Sequence, residues 1–475
     1  MIGKLAPTLL LGLTLPAWTQ MPAAPSAIPI NPAPLEFTLP RPVQTVLPNG
    51  LRVLILEDHR LPTVDLSLEV HGAGGFDEPA GQPGLAVFTA RMMNLGTIGH
   101  SADQLAGQLA DLGAHAGVSS DYGSRLAALN ASGLASNFPQ WFAVATDMLL
   151  HPSFPPSEWE QLEKQSEARL SQQQANPQFL GIERLRTALY GAYPAAVSTT
   201  TLAALRAFNP DQFAAWHRQR YAPQNAILAI AGDVQPAALL AEIEKSLGGW
   251  RRSGLNLAAP AAPAAPTRRQ IFLINRPGSV QTTLMLGNLA AERTSADYTA
   301  LQVLSEVLGA VPQGRLFTDL RSQQGLAYDV GAQVSTPEFR GFWLALGDFR
   351  TAVTGQALAA LLSEVDRIRT QPVPAAELAR AQRAMIVRQA LSLEQPDAVL
   401  GDWLTAALYH LPADYWDRFP AQIRAVTAAE VQRVAQKYFD PATLQIVAVG
   451  DAAAIQPVLA QYGPVQAAPA DASRH

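Results

Sequence analysis

The sequence predicts an α+β protein built from two similar halves, and three observations carry that reading. Asn209–Asp233 reads as a helix, a proline-marked turn, a buried strand and Gly-Asp, and Thr427–Asp451 reads the same way. Pro223 and Pro441 stand 218 residues apart, as do Gly232 and Gly450, and Asp233 and Asp451. A whole helix–turn–strand frame recurring at one offset is an internal repeat. Between the halves lies AAPAAPAAPT, Ala258–Thr267, a stiff Pro/Ala connector. Finally, 475 residues are more than one core usually organises. The expected layout is residues 1–22 as a signal peptide and 23–43 as a Pro-rich linker. Residues 44–255 form the first half, 256–268 a linker, 269–465 the second half and 466–475 a tail.

Composition narrows the function. Hydrophobic residues make up 48% and charged residues 15%, as in a well-buried globular protein. A net charge of −5 argues against nucleic acid as a partner and offers no basic face to an anionic membrane. The chain has no cysteine, which excludes disulfides and thiolate metal sites and leaves the redox compartment open. Lys4 precedes an apolar run from Leu9 to Trp18, broken by Pro16. That is the pattern of a secretory signal peptide, too short for a membrane span, so a periplasmic or secreted protein without stable membrane insertion is expected.

Taken in order, the first half opens with two alternating apolar runs around Pro48-Asn49-Gly50, the signature of a hairpin. In Gly84–Thr97, Leu85, Phe88, Met92 and Leu95 share one helical face, and Val87, Ala90 and Arg91 share a second. Ser101–Gly113 has helical spacing and Ala114–Ala131 alternates like a strand pair. Asn137–Leu150 is an amphipathic helix stopped by HPSFPP, and Glu158–Gln174 is a long polar helix ended at Asn176-Pro177. The second half starts with a strand, a Pro-Gly turn and another strand in IFLINRPGSVQTTLMLGN. A helix over Tyr298–Leu308 and the segment Gly314–Ala332 follow.

GLAVFTARMMNLGT, Gly84–Thr97, resembles the active-site helix of the pitrilysin and mitochondrial-processing-peptidase family of inverted-motif zinc peptidases, close to G-x-A-H-F-x-E-H-M-x-F-x-G-T. Gly84, Ala86, Phe88, Met92, Gly96 and Thr97 match that frame. The two zinc-binding histidines of the family fall on Val87 and Arg91 here, and the general-base glutamate on Ala90. Neither Val nor Ala binds zinc or moves a proton, and Arg stays cationic. The resemblance implies a peptidase fold whose catalytic helix is blanked, a catalytically degenerate subunit lacking H-x-x-E-H. It also implies that each half is a mostly antiparallel sheet packed with helices, the two forming half of a clam-like chamber. The family's third zinc ligand, a glutamate, maps near Glu167, 76 residues past Arg91. Alone it cannot hold zinc, so no metal is expected in this chain. Either Arg91 supplies the missing charge and pairs with Glu167, or the two are unrelated surface charges.

GRLFTDLRSQQGLAYDVGA resembles the family's C-terminal text, where an arginine and a tyrosine seven residues apart bind the substrate backbone beside the scissile bond. Arg321 and Tyr328 have that spacing, and guanidinium and phenol donors suit a carbonyl that gains negative charge. Arg315 is expected to be structural. Of the eight histidines, no two stand at a metal-binding helical spacing. There is no nucleophile elbow, phosphate loop or dinucleotide fingerprint, and Asp233 and Asp451 are expected to cap turns.

Within the family, some subunits carry zinc while their partners contribute the arginine and tyrosine. The expectation is therefore a non-catalytic subunit of a heterodimeric periplasmic zinc metallopeptidase. It would complete the active site of a zinc-binding partner of the same family and hold an unstructured peptide through Arg321 and Tyr328, with zinc in the partner only. The alternative is a proteolytically inert scaffold or assembly protein with the same fold.

Overall fold

The structure, a computed structural model, describes residues 34–468. The signal-peptide reading of residues 1–22 and most of the tail lie outside them.

The first half runs β1 (Val43–Val46), β2 (Arg52–Glu57), β3 (Thr63–His71), α1 (Leu85–Met93), α2 (Ala102–Asp111), β4 (Ala114–Ser120) and β5 (Leu126–Leu134). It continues with α3 (Phe138–Leu150), α4 (Pro156–Gln174), α5 (Pro177–Tyr190), α6 (Leu202–Ala207), α7 (Pro210–Arg220), β6 (Ala226–Gly232) and α8 (Pro236–Leu247). The second half runs β7 (Gln270–Asn275), β8 (Gln281–Leu289), α9 (Tyr298–Gly309), β9 (Ala327–Ser335), β10 (Phe342–Arg350), α10 (Thr354–Thr370) and α11 (Ala375–Ser392). It ends with α12 (Pro396–Leu408), α13 (Phe419–Ala425), α14 (Ala428–Tyr438), β11 (Gln445–Gly450), α15 (Ala452–Leu459) and β12 (Val465–Ala468).

The two halves are the same α+β fold repeated. Their six-stranded sheets have the orders β1-β2-β6-β3-β5-β4 and β12-β7-β11-β8-β10-β9. In both, the strand that follows the proline turn, β6 or β11, lies parallel to one neighbour and antiparallel to the other. β3 alternates buried and half-buried residues, whereas β6 and β11 are buried throughout. That difference marks a central strand covered on both faces.

What covers the second face joins the halves. Within each half, the helices other than α5 and α12 pack one face of that half's own sheet. The other face is covered by a helix borrowed from the opposite half. Leu180, Leu185, Leu189 and Tyr190 of α5 pack on Phe272, Met285 and Val447 of the second sheet. Val399, Leu400, Trp403 and Leu404 of α12 pack on Leu54, Ile227 and Ala229 of the first. Gly181 lets α5 sit close, since a Cβ there would lie 2.9 Å from the Met285 side chain. Each such apolar side chain stabilises the exchange by roughly 1.5–3 kcal/mol.

Two boundaries differ from the sequence reading. The end of the expected linker is fixed: Leu39 is buried beside Trp403, its N–H donates to Asp417 at 3.0 Å, and Trp403 Nε1 donates to Pro40 O at 2.8 Å. Apolar residues spaced irregularly among prolines leave no periodic trace. The second half extends to Ala468, because Val465–Ala468 adds a parallel edge strand to β7, cutting into the expected 466–475 tail.

Candidate functional site

Gly84 starts α1 from a left-handed conformation, φ 105°, that suits glycine. The first turn is capped from a distance: Glu78 accepts from the Gly84 N–H at 2.9 Å and the Ala86 N–H at 2.7 Å. Burial pushes the Glu78 carboxyl up to about 7, against the pull of those two bonds. The sequence reading missed Glu78, because a cap six residues ahead of Gly84 has no local spacing rule.

Along α1, Leu85, Phe88 and Met92 are buried as expected, and Leu95 packs partly against the same core. The face expected to hold chemistry is just as apolar: Val87 is buried and Ala90 is 0% exposed. The half-buried Arg91 lays its guanidinium 5.3 Å from the Phe88 ring centroid. This donor set does not fit zinc. A methyl, an isopropyl and a cation replace two imidazoles and a carboxylate.

The suggested Arg91–Glu167 pair is not formed. Glu167 on α4 accepts from Arg206 Nε of α6 at 2.7 Å, while the Arg91 side chain lies along Phe88. The Glu167–Arg206 pair is solvent-accessible and so adds little to stability.

In the second half, the Gly314–Ala332 segment is finished differently. Arg315 is structural, as expected: buried, it forms a two-pronged bond to Glu377 at 2.7 and 3.0 Å. Beyond it, Phe317–Gln323 winds as a π-helix, a geometry frequent at functional sites. Gly325, at φ 61°, then turns the chain into β9. There the pairing with β10 slips, so that Ala327 faces Phe349 and Asp329 faces Asp348. Tyr328 is the extra residue of this bulge, a device that re-aims a side chain. Its ring is 81% exposed, and the Arg321 guanidinium lies 5.2 Å from its centroid and 4.7 Å from that of Phe317. Among the described residues, neither the Arg321 guanidinium nor the Tyr328 hydroxyl has a hydrogen-bond partner. The two stand together with their donors free for a guest.

The two repeated aspartates part company. Asp451 caps α15 through the Ala453 N–H at 3.0 Å. Asp233 instead holds His59 Nδ1 at 2.5 Å, and this contact, with one from Glu57, raises the His59 pKa.

Comparison with known proteins agrees with this architecture. Residues 52–201 match the family described as insulinase (peptidase family M16), and residues 207–385 match the peptidase M16 inactive domain. An uncharacterized zinc protease, YmxG, of Bacillus subtilis (strain 168) is 24% identical over 74% of this chain and 84% of its own length. The solved structure of a peptidase M16 inactive domain from Pseudomonas fluorescens is 25% identical, with a TM-score of 0.79 over 86% of this chain and 98% of that one. The periplasmic protease PqqL from Escherichia coli shares the fold at 14% identity, with a TM-score of 0.72 over 92% of this chain and 49% of that one. Two matched domains, the doubled sheet architecture and the blanked helix in its expected frame lead to one assignment: the chain belongs to peptidase family M16, the pitrilysin family.

Proposed function

We propose that this chain is the non-catalytic subunit of a heterodimeric periplasmic zinc metallopeptidase. It binds the backbone of an unstructured peptide through Arg321 and Tyr328 and thereby completes the active site of a zinc-binding partner of the same family. One observation carries this reading. The two side chains stand side by side with no hydrogen-bond partner among the described residues, set there by a π-helix and a bulge, while the zinc helix of the same chain is packed shut. Paired exposed donors of this kind stabilise a carbonyl oxygen as it gains negative charge. Zinc in the partner supplies Lewis-acid activation of the carbonyl and of water; Val87, Ala90 and Arg91 supply none. The name of the Bacillus relative and the periplasmic setting of PqqL support the peptidase context. No helix among the described residues is long and apolar enough to cross a membrane.

The test is reconstitution. The chain and a family member with an intact H-x-x-E-H helix are assayed on unstructured peptides, separately and mixed, with zinc measured in each. Cleavage that arises or rises at least about tenfold only in the mixture is the expected result. Cleavage by this chain alone, with bound zinc, overturns the proposal. A stable complex with another protein and no peptidase activity in any mixture moves the assignment to the scaffold alternative.

A further inference from the structure

A cleft of about 330 Å³ opens where the two halves meet, a volume within the usual range for ligand pockets. Its walls come from both halves: the β4–β5 turn, α5, the far end of β9, the β9–β10 connection and the end of α12. Five rings line it: Tyr122, Tyr190, Phe339, Phe342 and Tyr409. Tyr190 stands edge-on to Phe339 and to Phe342, at 6.4 and 6.1 Å between centroids, an array that accepts a further ring in the same manner.

The charged side chains of this cleft are already held, Arg125, His71 and Glu338 through ion pairs and Arg186 by a backbone carbonyl. Arg125 donates to Asp77 at 3.0 and 3.1 Å and lies 3.3 Å from Glu338. His71 Nε2 is 3.1 Å from both Glu338 oxygens, and Arg186 donates to Ala195 O at 2.9 and 2.6 Å. A charged guest has to break one of these partly buried contacts, whereas a neutral one does not. The polar groups left without a hydrogen-bond partner among the described residues are neutral: the side chains of Gln333 and Ser335, and the Tyr409 hydroxyl, whose pKa burial pushes up to about 12. These suit amides flanking a buried side chain.

Strand β9 links the cleft to the Arg321–Tyr328 site. Beyond the bulge, Asp329, Gly331, Gln333 and Ser335 alternate onto one face of β9, and the last two line the cleft. From Tyr328 to Ser335 an extended strand advances about 23 Å.

We propose that this cleft is a specificity pocket that takes one neutral aromatic side chain of the bound peptide, about five to seven residues from the segment held by Arg321 and Tyr328. The proposal rests on the peptide-binding reading above, and its test separates the two.

The full chain is titrated with N-acetyl-L-phenylalaninamide, with its alanine counterpart and with its aspartate counterpart, observed by saturation-transfer NMR. Saturable binding is expected for the phenylalanine amide alone. Gln333→Trp, which places a ring in the mouth of the cleft from an exposed position, weakens it by at least about tenfold. Ser335→Trp is the second blocking variant, and an unchanged melting temperature shows that each still folds. Equal binding of all three amides, tighter binding of the aspartate amide, or binding indifferent to both blocking variants overturns the pocket. Binding of the phenylalanine amide that both variants block, in a chain whose peptide affinity ignores Arg321→Ala, upholds the pocket and overturns the role of Arg321.

Discussion

Helix α1 and the stretch from Arg315 to Tyr328 are the two regions of this chain that match the family's active-site text, and they are finished by opposite rules. In α1 the helix is regular, and the positions of the two histidines and the glutamate are absorbed into packing or laid over a ring. In the second region the backbone leaves regular geometry twice, at the π-helix and at the bulge, and presents two exposed groups with no hydrogen-bond partner among the described residues. Removing ligands from a buried helix removes the cost of desolvating them, so a blanked site can be a stable one. Irregular backbone is frequent where a protein meets a ligand, and the proposed peptide role gives these two departures a purpose.

The contrast can be broken by mutation. The largest effect is expected at the packed site. Ala90→Glu puts a carboxylate at a fully buried position and should destabilise the chain by on the order of 3 kcal/mol or more, read as a lowered melting temperature or loss of soluble protein. If that variant were as stable as the parent, α1 would not be packed as described.

Next come the exchanged helices. Leu185→Ala in α5 and Leu404→Ala in α12 should each cost about 2–5 kcal/mol, and by similar amounts, because each removes a buried leucine from an equivalent junction. A large cost for one and none for the other would show that the halves are not held reciprocally.

A pH series tests the capped end of α1. The Glu78 carboxyl rises from its ordinary value of 4.5 to about 7 in the folded chain. Between those values the folded state binds the proton that the unfolded chain has lost. Its contribution to stability is therefore complete below about pH 4.5 and is lost as pH rises through about 7. Glu78→Gln should flatten the fall in melting temperature across that window. A parallel fall in parent and variant would assign the pH dependence to other groups.

The smallest effect on stability belongs to Arg321→Ala, within about 0.5 kcal/mol, since the side chain is exposed and its ring contacts lie at the surface.

Much of this architecture was legible in the sequence. The recurrence of Pro223-to-Asp233 text at Pro441-to-Asp451 identified the doubled fold, and the Gly84–Thr97 frame located the blanked helix. The exchange of α5 and α12 was not legible, because an apolar helical face does not say which sheet it will cover. Glu78 was missed because its bonds go to backbone N–H groups, which carry no residue identity. The Arg91–Glu167 pair was one of two alternatives drawn from the family's ligand spacing, and spacing does not register that Arg206 holds Glu167. The seven-residue interval between Arg321 and Tyr328 was visible, but the π-helix and bulge that bring the side chains together were not. The bulge depends on how β9 meets β10, a long-range pairing that local spacing does not record.

The central claim is that Arg321 and Tyr328 act on a peptide held by two subunits while contributing nothing to the fold. The most direct measurement is kcat for peptide cleavage by the mixed complex, with Arg321→Ala and Tyr328→Phe made in this chain and complex formation checked by sedimentation. The account predicts a fall in kcat of about 10²–10³-fold with the complex and its melting temperature intact. An unchanged kcat in an intact complex would contradict it.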